Sequence, residues 1–255
     1  MNRRTARSPV VPALRAVRAV VFDTDGVITD SARVHAAAWK ETFDAFLRDR
    51  PPADPARRGP FDPVGDYLRY VDGRSRLDGA ASFLVSRGLD PTPAVVESVA
   101  AEKERRFVAL LRTGGVDAYP GTVRLLWSLD ATGVPMAAVS ASRHARELLA
   151  RAEVLDLFDA VVDGVEAAHL GLPGKPDPAL FLEAARRLGE PPERCAVVED
   201  ALPGVEAGRR GGFGLVVGVD RTGGPDTVAA LRGHGAGLVV RDLAELLAER
   251  EGEPW

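Results

Sequence analysis

The chain is short of several things at once. It has a single cysteine, Cys195, which excludes an intramolecular disulfide and fits a reducing cytoplasm. No run is long and apolar enough to span a bilayer, and the N-terminus lacks the continuous apolar stretch of a secretory signal. Positive charge is not in excess: the formal net charge is −4, which argues against a nucleic-acid or anionic-membrane binder. There is no internal repeat or low-complexity tract. Lysine is scarce: of 33 basic residues only Lys40, Lys103 and Lys175 are lysines. In a chain that uses arginine by default, a lysine marks a place where a compact ammonium is wanted and a planar guanidinium would not fit.

What remains is an ordinary globular composition, 45% hydrophobic and 27% charged, in 255 residues, enough for a sizeable core. Met1 to Arg18, with Arg3, Arg4, Arg7, Arg15 and Arg18, reads as a partly ordered leader. After it comes Ala19–Asp30, on which the rest is organised. Ala19 to Phe22 form an apolar, β-branched run that suits a buried strand, and the run stops at Asp23 and Asp25. Strand alternation puts the two carboxylates on one side, and Gly26 lets the chain turn sharply beyond them. Acids this close need a counter-charge, either a metal ion, a lysine or both. Solvated aspartates at a turn are the alternative.

Residues 33–118 show helical spacing without a convincing strand. The patterns fall at 33–50, 64–71, 79–87 and 93–111, with a Pro-rich loop at 51–63. Beyond Tyr119-Pro120-Gly121 the texture alternates. Strand-like runs at 136–139, 160–162, 196–198, 215–219 and 238–240 are interleaved with helical patterns at 122–131, 143–152, 178–188, 202–210 and 225–232. The expectation is an α/β fold: a Rossmann-like parallel core (19–32 and 119–255) with an inserted all-helical cap (33–118). His144, His169 and His234 lack metal-ligand spacing, Gly212-Phe213-Gly214 reads as a helix end, and Cys195 as a small buried hydrophobe.

Ligands of such sheets sit beyond the carboxyl ends of the strands, so the residues just past each strand are informative. Asp23 and Asp25 come after the first, Ser140-Ala141-Ser142 after the second and Glu199-Asp200 after the fourth, while Lys175 lies in the loop after the third. This set suits phosphoryl transfer, which needs positioning and charge neutralisation. Asp23 would be the nucleophile and Asp25 the general acid and base. Lys175 would neutralise charge, while Ser140, with Ala141 and Ser142, would hold the phosphoryl group. Mg²⁺ would be bound by Asp23, Asp25 through its backbone carbonyl, Glu199 and Asp200.

These residues lie in four motif regions: Phe22-Asp23-Thr24-Asp25-Gly26-Val27, Val139-Ser140-Ala141-Ser142, Gly174-Lys175-Pro176-Asp177-Pro178, and Val198-Glu199-Asp200 with Gly204. With them the chain resembles haloacid dehalogenase (HAD) superfamily phosphotransferases, over nearly all of Ala19 to Asp220. It is similar in particular to β-phosphoglucomutases. An acid at Asp25 resembles phosphatases and phosphomutases and not true dehalogenases. The mutase likeness extends to Thr29-Asp30-Ser31 with His35 and Trp39, to Gly73-Arg74-Ser75-Arg76, and to Lys103 with Phe107.

The resemblance implies that Arg76 clamps a distal phosphate and that His35 and Lys103 couple cap closure to Asp25. It implies interconversion of β-glucose 1-phosphate and glucose 6-phosphate through an aspartyl phosphate and a bound 1,6-bisphosphate. A sugar-phosphate phosphatase of the same fold is the rival, and a non-catalytic phosphosugar-binding protein a more distant one. The expected form is a cytoplasmic monomer acting on a small sugar phosphate, with no nucleic-acid or membrane partner. Thr24 between the aspartates, the long approach Leu170–Pro173 and the 51–63 loop depart from the family pattern and bear on substrate identity.

Overall fold

The computed structural model describes residues 10–113, 116–224 and 226–248. Its centre is a sheet of β1 (Ala19–Asp23), β2 (Met136–Val139), β3 (Ala160–Val162), β4 (Cys195–Glu199), β5 (Leu215–Val219) and β6 (Leu238–Val240). The strand order is β3-β2-β1-β4-β5-β6 and every pairing is parallel. The helices are α1 (Pro12–Arg15), α2 (Ala32–Asp49), α3 (Arg76–Ser86), α4 (Pro93–Thr113), α5 (Pro120–Asp130), α6 (Ala145–Arg151), α7 (Gly164–Leu170), α8 (Ala179–Leu188), α9 (Leu202–Arg210) and α10 (Thr227–His234).

Alternation along the central strands explains why both sheet faces are covered. Val20 and Phe22 of β1 pack with Leu125, Leu126 and Leu129 of α5, while Ala19 and Val21 join Phe181 of α8 and Val205 of α9 on the other face. Cys195 opens β4 as a buried free thiol in that second layer.

Between β1 and α5 the described residues form only helices and loops, the helical cap. Its core is aromatic: Phe43 lies 4.7 Å from Trp39 and 3.9 Å from Phe83, ring centre to ring centre. Phe61 from the Pro-rich loop enters the same cluster, and its backbone is pinned to Lys40 and Asp44. The cap leaves and re-enters the core through two strands of chain laid side by side. Thr29 bridges Ala118, and Tyr119 N–H donates to Ile28 O at 3.0 Å. Leu148 of α6 packs among Val34, Ala38, Phe107 and Leu111, so the cap rests on the core through an apolar contact.

Three features differ from the sequence expectation. Residues 10–18 are built into the core: Val10 and Leu14 are 4% and 3% exposed, and Val11 N–H donates to Leu246 O at 2.9 Å. The remainder of the expected leader, residues 1–9, lies outside the described residues. The helix α7 lacks an apolar stripe and no residue of it is buried, which hid it from a periodicity argument. Its signals are local, with Asp163 accepting from Val165 and Glu166 N–H and Gly171 ending the helix at φ 66°. Finally, residues Tyr67–Val71 form a π-helix, whose wider turn shifts the side-chain spacing.

The packing of the 10–18 segment gives a test. Leu14→Ala is expected to destabilise the protein by about 2–5 kcal/mol, read from the midpoint of urea unfolding. A cost below about 0.5 kcal/mol would mean that the segment is dispensable to the core.

Candidate active site

The chain runs from β1 to β2 and β3 on one side, then returns to β4 beside β1, so the order reverses between β1 and β4. A crevice beyond the strand ends at such a point is where an open α/β sheet binds ligands. Here Asp23, Asp25, Lys175, Glu199 and Asp200 line one wall of a cavity, and Tyr67, Asp72, Arg74, Arg76 and Lys103 from the cap line another.

Lys175 is the centre of the core wall. Its side chain is 1% exposed and its Nζ donates to Asp23 Oδ1 and, at 2.6 Å, to Glu199 Oε1. The other Glu199 oxygen accepts the N–H of Ala201 at 2.7 Å. Two glycines make this possible. A Cβ on Gly204 would lie 1.6 Å from Glu199 Oε1, and one on Gly26, which has φ +86°, would lie 1.9 Å from Asp200 Oδ2.

Burial pushes Asp23 well above the usual carboxylate range against the charge of Lys175, with Glu199 and Asp25 adding repulsion. Burial, then Asp72, Glu199 and Asp23, pushes Asp200 the same way, and Arg221 opposes. Burial works against the Lys175 ammonium, but Asp23 and Glu199 outweigh it and hold it protonated. Oxygens of Asp23, Glu199 and Asp200 come within 4.8 Å of one another. Hard oxygens crowded in a buried site fit a divalent cation. The fit is uneven. Both Glu199 oxygens are already partnered and Asp23 shares one of its own with Lys175, so Asp200 is the carboxylate of the three that accepts no hydrogen bond among the described residues, while Glu199 stays in the group that could hold the ion.

Asp25 is also committed through its side chain. Its Oδ1 accepts from Ser31 at 2.5 Å and its Oδ2 from Ser140 at 2.7 Å, so both side-chain oxygens are occupied. Ser140, expected to hold phosphoryl oxygens, is wholly buried and spends its proton on Asp25, while Ala141 and Ser142 line the cavity. Burial alone would raise Asp25, but His35, Ser31 and Ser140 hold it well below the ordinary carboxylate range. His35 Nε2 lies 3.3 Å from Asp25 Oδ1, too far off line for a hydrogen bond. Its Nδ1 is 2.7 Å from Lys103 Nζ. Burial and the Lys103 charge lower the His35 pKa, which favours the neutral ring. Lys103, 4% exposed, lies over the Phe107 ring, and burial brings its pKa down to about 8.

Toward the cap side, Arg74, Arg76 and Arg143 make no ion pair among the described residues. Burial and the Arg143 charge lower the Arg76 pKa, as expected for guanidinium groups facing one another across a cavity. Asp78 is bound to Ser75, which leaves Arg76 free of it. Sequence reasoning missed Arg143, Tyr67 and Asp72 as site residues. Arg143 comes directly after the Ser140-Ala141-Ser142 motif, a signal that was present. Tyr67 and Asp72 gave none, because the π-turn that presents them has no sequence period of its own. Burial and the Glu199 charge raise Asp72 to about 7, and burial, then Asp72, Asp25 and Asp200, raise Tyr67.

One charged contact ties cap to core. His144 Nε2, before α6, lies 2.6 Å from Glu104 Oε1 on α4, and Nδ1 lies 3.5 Å from Glu147. Arg76 and Lys103 act on Glu104 from the cavity side, and Phe107 packs on the imidazole. The hydrogen bond to Glu104 raises His144, and the one from His144 brings Glu104 down to about 2. A raised histidine contributes fully below its ordinary value of 6.5 and loses its contribution as pH rises through its folded value; the lowered glutamate contributes above 4.5. A double-mutant cycle of Glu104→Gln and His144→Gln is therefore expected to give a stability coupling of up to about 1 kcal/mol at pH 6 that falls toward zero at about pH 9. Equal coupling at both would show that the contact is not an ion pair.

Comparison with known proteins agrees with this geometry. Residues 17–212 match the family model of haloacid dehalogenase-like hydrolases. The chain is 43% identical to the β-phosphoglucomutase of Mycobacterium tuberculosis over 255 residues, covering 96% of this chain and 97% of that one. It is 35% identical to the β-phosphoglucomutase of Bacillus subtilis over 242 residues, 94% of this chain and 96% of that one. The crystal structure of a β-phosphoglucomutase from Clostridium difficile superposes with a TM-score of 0.70 at 25% identity, over 90% of this chain and 93% of that one. The protein is an enzyme, a phosphomutase or phosphatase of a kind that uses a divalent metal. With an acid cluster and a buried lysine at the sheet's switch point, matched over its length by such relatives, the chain belongs to the haloacid dehalogenase-like hydrolase family.

Proposed function

We propose that the enzyme is a β-phosphoglucomutase. The observation that carries this reading is that one cavity is lined both by Lys175 with the acids and by Arg74, Arg76 and Arg143, which make no ion pair among the described residues. A phosphatase needs one phosphate site. A mutase passing through a bisphosphate needs two, and guanidinium groups that repel one another are stabilised by the second phosphate. The similarity to the mycobacterial mutase supports the same reading.

In this mechanism an Asp23 oxygen forms the bond to phosphorus as the bond to the sugar oxygen breaks, giving an aspartyl phosphate. Lys175 stays on Asp23 and neutralises charge that passes to the phosphoryl oxygens. Asp25, held ionised by its hydroxyl and imidazole neighbours, takes the proton of the C6 hydroxyl of β-glucose 1-phosphate as that oxygen accepts the phosphoryl group. The 1,6-bisphosphate then turns over so that its C1 phosphate meets Asp23. Asp25 returns the proton to the departing C1 oxygen, and glucose 6-phosphate leaves. The metal, proposed as Mg²⁺ on Asp23, Asp200 and the Asp25 carbonyl, supplies charge neutralisation at the transferring group. Arg76, Arg74 and Arg143 hold the distal phosphate, with Ala141 and Ser142 beside it. Closure of the cap keeps water from the aspartyl phosphate. The enzyme is proposed to work as a cytoplasmic monomer.

With β-glucose 1-phosphate, Mg²⁺ and catalytic glucose 1,6-bisphosphate, glucose 6-phosphate is expected to form well ahead of free phosphate. Steady phosphate release with little glucose 6-phosphate would replace the mutase by a phosphatase. Asp23→Asn should show neither turnover nor phosphoenzyme, and full activity in that variant would sink the mechanism. Arg76→Ala is expected to raise KM for the sugar phosphate by about 10- to 100-fold, the loss of one charged clamp. An unchanged KM would remove the distal phosphate from Arg76.

A further inference from the structure

Arg221, the second residue after β5, belongs to none of the four motifs, yet its side chain is only 17% exposed and each of its three guanidinium nitrogens donates a hydrogen bond. Its Nε donates to Gly26 O at 2.7 Å and one terminal nitrogen to Val27 O at 3.1 Å. The other donates to Arg241 O at 3.3 Å and lies 3.9 Å from Asp242. The guanidinium plane covers the ring of Tyr119, with its carbon 3.6 Å from the ring centre. Tyr119 ends the return linker of the cap, directly before α5, and its hydroxyl donates to Asp30 in the outgoing linker at 3.2 Å.

The two carbonyls that Arg221 holds come immediately after Asp25. The turn also depends on Gly26 N–H donating to Thr29 O at 2.8 Å and on Thr122 Oγ1 donating to Val27 O at 2.8 Å. Among the described residues no backbone N–H donates to the carbonyl oxygen of Asp25 itself. Asp200 rests on the bare α-carbon of Gly26, where a Cβ would overlap it. A shift of this turn would therefore move the Asp25 carbonyl and the seat of Asp200 together.

We propose that Arg221 is a positioning residue for the metal site: its planar fork fixes the Gly26-Val27 carbonyls and so aims the Asp25 carbonyl and Asp200 at one cation. This rests on the reading of Asp23, Asp25 and Asp200 as metal ligands. The alternative of a plain charge effect has the opposite sign. A guanidinium near Asp200 repels a divalent cation, so on charge alone its removal would tighten metal binding. Fixing the turn demands that removal weaken it. Lysine keeps the charge but cannot donate to two successive carbonyls while lying flat on a ring, so it should not restore binding.

The test is calorimetric titration of the sugar-free protein with Mg²⁺ alone, for wild type, Arg221→Met and Arg221→Lys, with melting temperatures measured alongside. Both variants are expected to bind Mg²⁺ at least tenfold more weakly while remaining folded at the titration temperature. Binding within twofold of wild type, or tighter, would overturn the proposal, as would full restoration by lysine. If Arg221→Met does not hold its fold, Arg221→Lys decides alone. Because the probe is Mg²⁺, the outcome does not depend on which sugar phosphate is turned over. Wild-type protein that binds Mg²⁺ but fails on β-glucose 1-phosphate counts against the mutase and not against Arg221.

Discussion

The buried contact of Lys175 with Asp23 and Glu199 is the constraint on which the other arrangements depend. Two carboxylates and an ammonium removed from water are costly unless each charge is matched and the remaining lone pairs are bonded. The fold meets that condition with parts from separate loops: the end of β1, the end of β4, the N–H of Ala201 and the loop before α8. Gly204 is bare because Glu199 lies where its Cβ would be. Glu199 is thereby bonded to the lysine, which is also held to Asp23. Among the described residues Asp200 has no such partner, so the two neighbouring acids differ: one is bonded to the ammonium and the other is open to a ligand.

The same logic separates the two aspartates of β1 and its turn. Asp23 meets the lysine, while Asp25 is wrapped in hydroxyls and faces a neutral imidazole. Its carboxylate is stabilised by neutral hydrogen-bond donors rather than by a paired ammonium. A base of that kind can take a proton without breaking an ion pair. His35 and Lys103 both come from the cap, so the surroundings of Asp25 are complete only when cap and core meet. Leu148 and the Glu104–His144 contact bring them together at one edge, and Gly73, passing close to Ala201 and Pro203, does so at another.

Much of this was legible in the chain because the central strands are short β-branched runs ended by acids, a pattern with few other uses in a parallel sheet. The core residues Asp23, Asp25, Lys175, Glu199 and Asp200 come from strand order alone. What a strand-end argument cannot see is how each oxygen is spent. Ser140 and Glu199 stand in the expected loops, and their hydrogen bonds to Asp25 and Lys175 were not legible from strand ends. The short helix α7 escaped because it buries no side chain, and its cap residues were the only signal. Tyr67 and Asp72 escaped because a π-turn shifts the register between flanking helical patterns. Val10 and Leu14 escaped because an arginine-rich composition hid two apolar anchors that find their partners more than 200 residues away in the 3₁₀ turn Leu243–Leu246.

The distribution of cations now has a physical reason. Lys103 and Lys175 are the two lysines buried in the site, while Lys40 is half exposed beside Asp44. A buried ammonium can point separate protons at acceptors that converge from different elements, as Lys175 does to Asp23 and Glu199. It can also shed its charge when desolvated, as the lowered pKa of Lys103 allows. Arginines stand instead where the geometry is flat. Arg221 lies on an aromatic ring and reaches successive carbonyls, and Arg74, Arg76 and Arg143 surround space fit for a phosphate. Within the cavity, the carboxylates of Asp23 and Glu199 are met by ammonium, while the guanidinium groups that line it are left for an incoming anion in the proposed function. Arg74 and Arg76 are half-buried and Arg143 is exposed, and none of the three makes an ion pair among the described residues, so a bound anion would be shared among them without displacing a carboxylate.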